Sequence, residues 1–137
     1  SRWYLLAWDL RRESVRTFGG DRIEKVTLEE DSFSKVNFNA DEYFKHAIGI
    51  TVIDNKPPVN VSFKCTPLLA NYLKTQPIHS SQTIAKDGSV YIITMKVLIT
   101  FELLQWLQGM SSEIVVLEPD TLKNKLSEIL KSAAEKY

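Results

Sequence analysis

Apolar and polar residues alternate along this chain with a period that changes several times, and each change marks an element. From Trp3 to Leu10 apolar side chains fall on both alternating faces, as in a strand of a small barrel or one held between two layers. Arg11 to Ser14 makes a polar connection, Val15 to Phe18 a return strand, and Gly19-Gly20-Asp21 a turn or bulge. Arg22 to Glu29 carries Ile23, Val26 and Leu28 with a shift of phase, which predicts a third strand and a β meander at the start of the chain. Such a short meander is marginal alone, because independent sheets usually need three or more strands with a packed face. The chain opens inside a strand, so the expectation is that barrel strands are missing upstream or that the meander docks on the remainder.

Asp31 to Asn39 is polar with scattered Phe33, Val36 and Phe38; Asp41 to His46 suits a short helix, and Asp54-Asn55-Lys56-Pro57-Pro58 breaks the pattern. Val59, Val61, Phe63 and Cys65 then alternate with polar residues, as in a half-buried strand. Thr66 can cap a helix opening at Pro67, with Leu68, Leu69, Tyr72 and Leu73 as its apolar stripe. Ser81 to Ala85 and Val90 to Ile99 flank an Asp87-Gly88 hairpin signal. Thr100 caps a second helix carrying Phe101, Leu103, Leu104, Trp106 and Leu107, which ends at Gly109. Glu113 to Leu117 is a further strand, and a last helix runs from Pro119 with Leu122, Leu126, Ile129, Leu130 and Ala133 at helical spacing.

The order from Val59 is β-α-β-β-α-β plus a terminal helix, the split βαβ pattern of a ferredoxin-like sandwich, and the fold class is α+β. The expected division is a β meander over 1–38, a linker with a short helix over 39–58, and the sandwich over 59–137. This fold hosts many unrelated functions, so it says little about activity.

Composition narrows the class. A chain of 137 residues with 44% hydrophobic and 25% charged residues is ordinary globular protein. Its apolar runs fall far short of the ~20 residues of a membrane span, and no signal-peptide pattern opens it. A cytoplasmic protein with no membrane partner is expected. The single cysteine, Cys65, excludes an internal disulfide and a cysteine-rich metal site. The net charge is +0, yet all five arginines precede Ile23, giving that segment +2 and the remaining chain −2. Arginine presents a planar fork of donors suited to phosphate and to stacking on bases.

Candidates for catalysis are thin. His46 and His79 are the only histidines and form no metal-ligand spacing, Cys65 lies on the apolar phase of its strand, and His79 sits in a connection that suits capping. Trp106 reads as core. Gly19-Gly20 lacks the sequel of a phosphate loop. What remains is Arg2, Arg11, Arg12, Arg16 and Arg22 beside Trp3, Tyr4 and Trp8, the mixture of cations and aromatic faces used to bind single-stranded nucleic acid or nucleotides.

The stretch Arg2-Trp3-Tyr4-Leu5-Leu6-Ala7-Trp8-Asp9, followed by Arg16-Thr17-Phe18-Gly19-Gly20-Asp21-Arg22-Ile23, resembles the second half of a WYL domain, named for the tripeptide at Trp3 to Leu5. The downstream part, ending Val115-Val116-Leu117-Glu118-Pro119, is similar to the C-terminal extension (WCX) that follows WYL domains in bacterial transcriptional regulators. The resemblance implies partial strands of an Sm-like, SH3-type barrel, an N-terminal helix-turn-helix absent from this chain, and a role without catalysis or cofactor. It implies that the WYL part senses a nucleotide or single-stranded nucleic acid and that a dimer reads operator DNA through the missing domain. On that likeness Tyr4 and Arg22 are the first candidates for ligand contact, with Arg2 and Arg16 as rim charges. The family commonly has Arg-Leu where this chain has Gly19-Gly20, so one family-typical arginine is absent. The competing expectation is a structural dimerisation module that binds no ligand; either way a homodimer covers the open sheet edges.

Overall fold

The computed structural model describes residues 2–137. They form two units, one up to Phe38 and one from Asn39 to Tyr137. The fold is α+β, with two antiparallel sheets and four α-helices.

In the first unit β1 (Tyr4–Asp9) pairs with β2 (Ser14–Gly19), from Tyr4 opposite Gly19 to Asp9 opposite Ser14. Gly20 extends the pairing by donating its N–H to the Trp3 carbonyl at 2.8 Å. A single 3₁₀ turn, Gly20–Arg22, follows. The expected third strand does not form: residues 23–29 have no ladder partner among the described residues, and Val26 and Leu28 are 83% and 97% exposed. The apolar spacing there was irregular, and without a neighbour to take its backbone hydrogen bonds a strand has nothing to hold it. The meander is therefore a two-stranded hairpin.

The second unit follows the expected order closely. Its strands are β3 (Val59–Cys65), β4 (Thr83–Asp87), β5 (Val90–Val97) and β6 (Ile114–Glu118), and they form one antiparallel sheet ordered β4-β5-β3-β6. Between them lie α2 (Pro67–Thr75) and α3 (Phe101–Gly109), and α4 (Asp120–Ala134) closes the chain; α1 (Ala40–Phe44) precedes the sheet. Thr66 and Thr100 cap α2 and α3 through their hydroxyls, each accepting the N–H three residues on. The β4–β5 loop is Gly88-Ser89, with Asp87 still paired to Val90 and Gly88 at φ +60°. A left-handed first loop residue makes glycine the natural occupant there.

One sheet face is covered. Val61 and Phe63 of β3 and Ile93, Met95 and Val97 of β5 are almost completely buried, and Leu69, Leu73, Leu103, Leu107, Leu122 and Leu126 supply the helical side of the same core. The helices turn differently from the expected stripes. Leu68 and Tyr72 of α2 and Phe101 of α3 are each 65% exposed, while Ala70 is buried. Helical spacing defines a stripe but not its edges, and these short helices bury Leu69, Ala70 and Leu73 in one and Leu103, Leu104 and Leu107 in the other. Trp106 is only partly buried, resting on the core with its ring 5.7 Å from that of Phe63.

Residues 39–58 are built into this second unit. His79 accepts the Ser81 N–H at Nδ1 (3.1 Å), which leaves Nε2 to donate to the Lys45 carbonyl at 2.8 Å. Leu98 N–H donates to the His46 carbonyl at 2.8 Å. Glu102 Oε1 accepts from the Thr51 N–H (3.1 Å) and hydroxyl (2.6 Å). Gly49, at φ +86°, passes so close that a Cβ would stand 2.9 Å from Glu102 Cγ. Burial alone would raise the Glu102 carboxyl, but donation from the Thr51 hydroxyl, its own backbone N–H and the Ile50 N–H outweighs it and holds the group below the usual carboxylate range.

The helix orientation gives a direct contrast. Leu103→Ala is expected to lower unfolding free energy by about 2–5 kcal/mol, because Leu103 is fully buried. Phe101→Ala, two residues away on the exposed side, should change it by less than about 0.5 kcal/mol. Urea titrations of the two variants check this.

Candidate functional site

The arginine- and aromatic-rich hairpin has two faces. Opposed residues of an antiparallel pair share a face, so Tyr4, Leu6, Trp8, Val15, Thr17 and Gly19 lie on one, and Leu5, Ala7, Asp9, Ser14, Arg16 and Phe18 on the other. Tyr4 and Arg16, both exposed, therefore point to opposite sides. Arg22 belongs with Tyr4. A Cβ built on Gly19, directly across from Tyr4, would stand 3.8 Å from both Cγ and Nε of Arg22 and 2.6 Å from Asp21 Oδ1. The 3₁₀ turn thus folds Arg22 and Asp21 back over the strand end beside Gly19. Gly20 is the tighter position, since its Cβ would meet the Trp3 carbonyl at 3.0 Å.

Arg2 is exposed just ahead of β1. Arg12 is committed elsewhere: its guanidinium pairs with Asp9 Oδ2 at 3.1 Å, while Asp9 Oδ1 accepts the Arg11 N–H at 2.9 Å and the Arg12 N–H at 3.2 Å. The Arg11 backbone donor, with Arg12's side chain and N–H, holds the Asp9 carboxyl below its usual range against a smaller opposing effect of desolvation. The pair is a turn lock and not a ligand site.

Beside the hairpin is an apolar hollow of about 680 Å³, lined by Leu5, Trp8 and Val15 together with Phe33, Val36 and Phe38. None of the four candidate ligand residues lines it. Sequence reading passed over 33–38 because its apolar residues follow neither helical nor strand period. In the second unit a cleft between α2 and α3 was missed for a different reason: its lining residues read as core or as loop.

No group of three or more His, Cys, Asp or Glu side chains among the described residues is placed to hold a metal ion. Cys65 is buried within the core, as its strand phase implied, and desolvation pushes its thiol up, away from the reactive thiolate. No helix among the described residues is long and apolar enough to cross a membrane.

These features, a hairpin with Trp-Tyr-Leu at its start ahead of a β-α-β-β-α-β unit with a terminal helix, meet the family comparisons. The WCX domain matches residues 57–134 and the WYL domain residues 1–28, so the chain belongs to the WCX domain family and carries a WYL-domain match ahead of it. The likeness read from Trp3 to Leu5 and from the downstream pattern is borne out, and neither domain is a catalytic one. Among solved structures the chain is similar to the proteasome accessory factor B/C (PafBC) of Arthrobacter aurescens, at 21% identity and a TM-score of 0.46. The match covers 98% of this chain and 20% of that one. No curated protein matches.

The Asp9 lock predicts a pH effect with a fixed sign. A carboxyl whose folded-state pKa is depressed contributes stability above its unfolded value, near 3.8, and loses that contribution as pH falls through the folded value. Carbon-13 NMR titration should show Asp9 titrating below 3.8, and Arg12→Ala should move it back toward that value.

Proposed function

We propose that this chain is the ligand-sensing and dimerisation region of a cytoplasmic bacterial transcriptional regulator. In this reading 1–38 is the end of a WYL domain with partial Sm/SH3-like barrel strands, 39–58 a linker with a short helix, and 59–137 a ferredoxin-like extension. The sheet order β4-β5-β3-β6 with helices in the β-α and α-β crossovers supports the last assignment. The ligand is a nucleotide or single-stranded nucleic acid, and a homodimer passes the signal to operator DNA through a helix-turn-helix outside this chain. The observation that carries the reading is the convergence of Arg22 on the Tyr4 end of the hairpin, within residues matched by the WYL domain.

The chemistry follows from that pair. Tyr4 offers an aromatic face for a base and Arg22 a forked cation for phosphate, both exposed. Arg2, adjoining the same strand end, adds a rim charge. Arg16, on the other face, contacts such a ligand only if it wraps the strand edge. A ligand shifts a regulator by binding one arrangement of the dimer more tightly than another, so its effect is bounded by that difference in affinity.

Fluorescence anisotropy of a labelled single-stranded oligonucleotide, titrated with the protein at two salt concentrations, tests the reading. Binding should weaken steeply with salt through counterion release. Arg22→Ala should abolish most of it with the circular dichroism spectrum unchanged, and Arg16→Ala should reduce it less. Equal binding by wild type and Arg22→Ala would count against the site. No binding by either would favour the structural dimerisation module.

A further inference from the structure

The cleft between α2 and α3 has a volume of about 590 Å³, within the range of small-molecule sites. Its floor is core: Leu69 and Leu73 are buried. Trp106 and Met110 form one wall, and Ile48 and Ile78 another. The walls are fixed by polar contacts that lie outside the cleft itself. Gln82 accepts the Ile78 N–H at 3.0 Å and donates to the Leu73 carbonyl at 2.9 Å, tying the loop after α2 to its helix. On the other side, Glu102 holds Thr51 and His79 holds Lys45, bracketing Ile48. The walls of the cleft are thus held by the fold's own hydrogen bonds.

Its charge is one-sided. Glu113 is the only acidic residue in the lining, and no Lys, Arg or His lines the cleft. Glu113 Oε2 accepts from the Thr66 hydroxyl at 2.5 Å, which orients the carboxylate, while Oε1 has no protein partner among the described residues. Trp106 and Tyr72 add aromatic surface, which attracts cations as well as rings. Tyr72 stands 65% exposed at the rim.

We propose that the α2–α3 cleft is a binding site for a small aromatic amine, its ring on Trp106, Met110 and Leu73 and its ammonium on Glu113. This site lies wholly in the second unit and is independent of the hairpin reading. The chemistry opposes anions: a carboxylate in the same place would meet Glu113 with no cation to offset it.

The test uses the full chain carrying Trp3→Phe and Trp8→Phe, so that Trp106 is the one tryptophan. It is titrated with 2-phenylethylamine and, separately, with 3-phenylpropionate as the acid of matched size. The amine should change Trp106 emission saturably, and the acid should bind about tenfold more weakly. Glu113→Gln, which keeps an acceptor for Thr66, should remove that preference, and Tyr72→Ala should weaken the amine without unfolding the protein. Absence of a saturable response, equal affinity for amine and acid, or undiminished amine affinity in Glu113→Gln would each overturn the proposal.

Discussion

β3 has to satisfy backbone groups along both of its edges while burying Val61, Phe63 and Cys65 on one face, and most of the second unit is placed by that demand. β5 takes one edge along its whole length, from Val59 opposite Val97 to Cys65 opposite Tyr91. β6 takes the other, with an irregularity between Ser62 and Phe63. The buried residues of β5 and β6, Ile93, Met95, Val97, Ile114 and Val116, then fall on the same side as Phe63, and three helices keep water from them. Burying a side chain the size of Phe63 contributes about 2–3 kcal/mol, so a sheet with several such residues can hold its unit without disulfide or metal.

The hairpin rests on far less. Its strands are six residues each, and Tyr4, Leu5, Trp8 and Phe18 are all left exposed to solvent. What shapes it is local: Asp9 gathers the donors of the β1–β2 turn, and the 3₁₀ turn from Gly20 brings Arg22 back beside Gly19, opposite Tyr4. In the proposed reading the two units divide the work that regulation needs. One is a stiff body, and the other is a weakly held surface carrying cations and aromatics, the kind of element that a ligand can order.

Much of this was legible in the sequence wherever local chemistry and hydrophobic period agreed. Thr66-Pro67 and Thr100 marked the helix starts, the alternation from Val59 to Cys65 marked the central strand, and Gly88 marked the hairpin. Period alone misled at Arg22 to Glu29, where apolar residues were present but no neighbouring strand was. It also gave α2 and α3 wider apolar stripes than they bury, since Leu68, Tyr72 and Phe101 face outward. The candidate ligand residues could be named from type and likeness. Their division between faces could not, because it depends on the register of β1 against β2, and the approach of Arg22 to Tyr4 depends on a turn that brings non-adjacent residues together. Glu113 gave no signal at all: its role at the cleft comes from the Thr66 contact, 47 residues away in sequence.

Hydrogen exchange with and without a single-stranded oligonucleotide tests most directly whether the WCX unit is rigid and the WYL hairpin is ordered by ligand. The account predicts that amides of β3 and β5 exchange slowest in both states, and that the oligonucleotide slows exchange in Tyr4–Asp9 and Ser14–Arg22 while leaving β3 unchanged. Slowing confined to the second unit, or a hairpin already as protected as β3 without ligand, would contradict it.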